Sequence, residues 1–115
     1  MEIEVNYQKW KLLLKDTKTL VDKYNSENEV PCTFAFGVTL FPIHEIWINR
    51  DMCIDQQINT LKHELTHCYI FTHGLYNVPN YNEEMVCDLV CSINDFIYDV
   101  ICKFRKVLKG EKVWI

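Results

Sequence analysis

The chain has 115 residues, 49% of them apolar, which is room for one small domain (1–115) with a compact core. Twelve Lys and Arg against 16 Asp and Glu leave a formal charge of -4. That argues against nucleic acid as the main ligand, because phosphate binding needs a basic face. The opening "MEIEVNYQKW" lacks a charged-then-apolar signal pattern and no apolar run approaches the length of a membrane span, so a cytoplasmic protein without a membrane partner is expected.

From about Tyr7 to Tyr24, Trp10, Leu13, Leu14, Val21 and Tyr24 recur at helical spacing among Lys and Asp, which predicts a first helix. "NSEN" (Asn25–Asn28) ends it with turn chemistry. The next stretch is rich in β-branched and aromatic residues and breaks near Phe41–Pro42, which predicts a hairpin of Cys32–Leu40 and Ile43–Asn49, with Gly37 as a bulge. A second helix is expected from about Asp55 to His73, capped by Asp51 or Asp55 and closed by Gly74. After the loop Leu75–Asn82, Asn82 opens a long third helix to Lys109, with Val86, Leu89, Ile93, Phe96, Val100, Phe104 and Val107 as its core stripe. The expected class is α+β, in the order αββαα. The six cysteines sit in apolar segments and are expected as reduced thiols, with Cys68, Cys87 and Cys91 packed in the core. The basic residues of "KFRKVLKGEK" are expected as a solvated helix end.

Chemistry concentrates in "TLKHELTHCYIFTHG" (Thr60–Gly74). On a helix, His63 and His67 lie about 40° apart around the axis, so their imidazoles converge on one point, as two nitrogen ligands of a tetrahedral Zn2+ must. Glu64 lies at the edge of the same face, suited to act as general base on a water at the metal, so "HELTH" is an H-E-x-x-H motif. A catalytic zinc needs a third protein ligand. His73 has the offset used where a Gly lets the chain turn back, but Ile70 occupies that position. On a continuing helix His73 lies about 240° from His67. Glu84 and Asp88, spaced i and i+4 in "NEEMVCD", share one face of the third helix. Glu84 is the favoured ligand and Asp88 would hold the free ring nitrogen of a ligand histidine. Glu83 is the alternative, one residue away in register.

His63-Glu64-x-x-His67 followed by Glu84-x-x-x-Asp88 resembles the gluzincin pattern of zinc metallopeptidases. The order of elements is similar to that of minigluzincins and of ImmA/IrrE-like and phage-encoded metallopeptidases, over about Cys32 to Val107. The resemblance implies a minimal zincin fold in which His63, His67 and Glu84 hold Zn2+, Glu64 activates water and Asp88 orients a ligand histidine. Members of such families often steady the oxyanion with a downstream His or Tyr. Here Tyr76, Tyr81, His44 and His73 are the candidates, and Tyr98 lies deep in the third helix.

The expected function is zinc-dependent hydrolysis of peptide bonds in a protein or peptide partner. The strand "IHEIWIN" is expected to rim the cleft, pairing with an extended substrate, and Trp47 to line the rim or join the core. The alternative is a metal-stabilised interaction module or self-inhibited pseudo-peptidase of a phage or mobile element, binding a regulator through the tail Lys112–Ile115 and its Trp114. A protease of DNA-bound proteins of the SprT type fits less well, given the acidic balance and the lack of a DNA-binding segment.

Overall fold

The structure, a computed structural model, describes residues 1–75 and 83–110, with Glu83 by its backbone only. Tyr76, Tyr81 and the tail bearing Trp114 lie outside the described residues.

The amino-terminal third is not the expected helix. It forms a hairpin of β1 (Glu2–Val5) and β2 (Gln8–Lys15), followed by α1 (Thr17–Glu27). Ile3 and Val5 are buried between exposed Glu2 and Glu4, and Trp10 and Leu12 are buried between exposed Lys9 and Lys11. That is the alternation of a strand pair with one face on a core. Asn6 (φ 48°) and Tyr7 (φ 64°) both adopt the left-handed region, as the two central residues of a type I′ hairpin turn must. α1 starts where Asp16 accepts a hydrogen bond from the Thr19 backbone N–H at 2.7 Å.

Next come β3 (Gly37–Leu40), a short 3-10 turn (Phe41–Ile43) and β4 (Glu45–Asn49). The expected hairpin forms, antiparallel, with Gly37 opposite Ile48 and Leu40 opposite Glu45. Gly37 sits in regular register rather than in a bulge. The helices α2 (Ile54–Thr72) and α3 (Glu83–Leu108) complete the order ββαββαα. The α+β class holds, with two strands more than expected. The sheet order is β1-β2-β4-β3. β4 pairs parallel with β2, Lys11 opposite Glu45 and Lys15 opposite Asn49.

One face of the sheet makes the main core. Ile3, Val5, Trp10, Leu12, Ile46 and Ile48 pack against Ile58, Leu61, Leu65 and Cys68 of α2 and against Val100, Ile101 and Phe104 of α3. The cap of α2 differs from expectation. Cys53 holds the cap position without a side-chain bond. Asp51 instead accepts from the Thr17 backbone N–H and hydroxyl, both at 2.9 Å, and these bonds hold its carboxyl below the usual carboxylate range. Gly74 (φ 69°) follows α2 where a left-handed residue closes the helix. Among the described residues, no helix is long and apolar enough to cross a membrane.

All six cysteines are free. Cys68 is buried as expected, and burial pushes its thiol up to about 12. Cys87 and Cys91, expected in the core, are exposed. They lie in the first half of α3, ahead of the buried stripe that begins at Ile93, where Val86 (48%) and Val90 (56%) are exposed too. At neutral pH a maleimide is expected to label Cys53, Cys87 and Cys91 in the native protein within minutes, and Cys68 only after unfolding, as read by peptide mass spectrometry.

Candidate metal centre

α2 places its functional side chains by the arithmetic of the helix. Leu61, Leu65 and Cys68 point into the core, which leaves His63 and His67 exposed one turn apart. Their rings meet at 75° with centroids 4.8 Å apart. The two Nε2 atoms are 3.1 Å apart. Both ring nitrogens thus face one point outside the helix.

Glu64, between them in sequence, turns toward the sheet and is only 7% exposed. Its Oε2 accepts a hydrogen bond from the Thr39 hydroxyl on β3. A carboxylate in this setting needs such a donor, because burying one without a partner is costly. Thr39 had no signal in the sequence beyond its place in a β-branched run, since its role depends on β3 lying against α2.

Gly37 allows that approach. A Cβ there would stand 2.7 Å from the Thr60 Cγ2 and 2.9 Å from the Trp47 carbonyl oxygen. Only glycine lets the strand sit this close to the helix, and that is the reason for the residue first read as a bulge.

Three cavities follow one another along this contact, each sharing lining residues with the next. One of about 370 Å3 is lined by Phe36, Gln56, Asn59, Thr60, His63 and Glu64. The next, about 240 Å3, shares Glu64 and reaches Thr39, Phe41 and His67. The third, about 340 Å3, is bounded by Phe41, His67, Ile70 and Phe71. Together they form a groove with the histidine pair at its centre. Its wall is β3, the edge of the sheet. The expected rim strand, β4, lies between β2 and β3, so its hydrogen-bonding groups are used. Trp47 is neither rim nor core. Its indole N–H donates to Glu45 at 2.8 Å and the Lys15 ammonium stands 5.0 Å from its ring centre.

The remaining candidates lie elsewhere. His73 ends α2, with its ring stacked on Tyr69 at 3.9 Å. His44 holds a left-handed turn position (φ 54°) and stacks on Trp10 at 4.6 Å. Glu84 and Asp88 are both exposed. Asp88 borders a cavity of about 480 Å3 with Tyr69, His73 and Leu89, and Phe96 packs toward Tyr69 at 6.0 Å. α3 therefore docks on the side of α2 that carries Tyr69 and His73, about 240° around the axis from the two histidines. Among the described residues, no third His, Cys, Asp or Glu joins His63 and His67 in a metal-holding group. Compared with family models, curated proteins and solved structures, this chain has no match.

Proposed function

We propose that the protein is a zinc-dependent metallo-endopeptidase. The observation that carries this reading is the pair of imidazole nitrogens converging at 3.1 Å beside a buried glutamate, in the middle of an open groove. Two of the three protein donors that a catalytic zinc needs are in place, since imidazoles at i and i+4 are zinc ligands by type and spacing. Glu84 is the proposed third ligand, with Glu83 next in register. Glu84 is exposed and stands outside any group of three, so the reading requires the first turns of α3 to approach His63 and His67 when metal binds. Asp88 would then reach a ligand imidazole.

A zinc ion held by these residues would supply Lewis acidity toward a carbonyl and a water. The chain's own residues do the rest. Glu64 takes the water's proton and passes it to the leaving amine. Thr39 occupies Oε2, so the proton is carried on Oε1. The outer edge of β3, unpaired among the described residues, would hold the substrate as an added strand.

Metal-free protein is expected to take up one zinc per chain in a calorimetric titration. His63→Ala or His67→Ala should weaken binding by about a hundredfold or more, and Glu84→Ala should weaken it as well. Absence of stoichiometric uptake, or unchanged affinity in His63→Ala, sinks the reading. Zinc uptake without cleavage of any unfolded protein substrate would favour the alternative, a metal-stabilised interaction module.

A further inference from the structure

The two ends of the groove differ in chemistry. At the end nearer the start of α2, Gln56 and Asn59 present two amides above the buried Thr60. Gln56 donates to the Thr60 hydroxyl at 3.2 Å, and the Asn59 amide is exposed, with no partner among the described residues. At the other end Phe41, Ile70 and Phe71 enclose an apolar recess beside His67. Its floor is braced. Phe41 and Phe71 lie 4.7 Å apart, and buried Trp10 meets both edge-on, at 6.4 and 6.3 Å. The recess is therefore held open by packing and does not wait for a ligand to shape it.

Strand direction turns this difference into an order along the substrate. β3 runs from Gly37, at the polar end, to Leu40, next to Phe41 at the apolar end. An extended chain joining its outer edge, unpaired among the described residues, in the antiparallel and more stable sense runs the opposite way. Its amino-terminal part then lies over Phe41, Ile70 and Phe71, and its carboxy-terminal part over Gln56, Asn59 and Thr60. From Thr60 to Ile70 the helix rises about 15 Å, the span of four to five extended residues.

We propose that the groove selects extended polypeptides with a large apolar side chain on the amino-terminal side of the scissile bond and a hydrogen-bonding side chain on its carboxy-terminal side. This rests on the peptidase reading for the position of the scissile bond, while the directional preference belongs to the groove itself. Ile70 is the specificity-determining residue that can be changed most safely. It lines the recess but takes no part in the buried core cluster.

The test reads binding, so it does not depend on turnover. Two fluorescein-labelled, end-capped peptides of the same composition are compared by anisotropy, one with a Phe pair ahead of a Ser-Asn pair and one in the reverse order. Metal-free wild type and zinc-loaded Glu64→Gln are both titrated. The apolar-first peptide is expected to bind on the order of tenfold more tightly to each, and Ile70→Ser is expected to erase the difference. Equal or reversed preference, no binding of either peptide, or a difference that survives Ile70→Ser overturns the proposal. Failure of zinc uptake removes the peptidase reading alone, since the metal-free titration still reports the groove's preference.

Discussion

Glu64→Gln is expected to lower the rate of peptide hydrolysis by about a thousandfold while leaving zinc affinity within about twofold. The substitution removes only the capacity to take a proton. A glutamine carbonyl oxygen can still accept from Thr39, so the side chain keeps its place against β3. His63 and His67 are untouched, and the fold loses no packing volume. The loss of rate must therefore appear in kcat, with KM for the peptide nearly unchanged. Steady-state kinetics on a quenched peptide, run beside a zinc titration of the same preparation, separates the two effects. A variant that keeps more than about a tenth of wild-type kcat would remove Glu64 from the role of general base.

Asn49→Ala is expected to destabilise the fold by about 3 to 5 kcal/mol. Asn49 is 0% exposed at the end of β4. Its amide donates to the Ala35 carbonyl and to the Thr17 hydroxyl, both at 2.9 Å, and its oxygen accepts from the Asp51 backbone N–H at 2.8 Å. Truncation leaves the Ala35 carbonyl, the Thr17 hydroxyl and the Asp51 N–H without this partner, at about 1 to 3 kcal/mol for each that water does not reach, and adds a small void. Three segments lose their common tie: the start of α1, the approach to β3 and the turn before α2. A domain of this size has about 5 to 15 kcal/mol in total. Urea denaturation of wild type and variant gives the difference directly. A change below about 1 kcal/mol would mean that the local backbone relaxes to find other partners.

What could be read from the sequence follows the range of the interactions involved. The expected Asp55–His73 and Asn82–Lys109 helices appear as Ile54–Thr72 and Glu83–Leu108, because both carry a periodic apolar stripe over many turns. The first hairpin was missed because its evidence is short. β1 has four residues, Leu12-Leu13-Leu14 suits either period, and the turn Asn6-Tyr7 lacks the glycine that marks such turns. The candidate site divides in the same way. His63, Glu64 and His67 belong to one helical turn, so local spacing is enough to bring them together. The Thr39 contact spans β3 and α2 and depends on Gly37 giving the strand room. Where Glu84 falls depends on which side of α2 receives α3. The stripe on α3 marks what that helix buries only from Ile93 on, since Val86 stays exposed, and Tyr69 and His73 give no comparable sign that α2 presents them to it.

The parallel pairing of β2 with β4 also sets an order in time. Lys11 must find Glu45 across the whole of α1 and β3, a non-local closure of the kind that slows folding to milliseconds or longer. β3 and β4 are joined by a short turn and pair locally, in microseconds for such a hairpin, but the groove wall is fixed to the rest of the sheet only through that closure. The histidine pair needs nothing but α2, and a helix of this length forms in about a microsecond. A folding chain therefore presents His63 and His67 on one helix face before the sheet that carries Thr39 is complete.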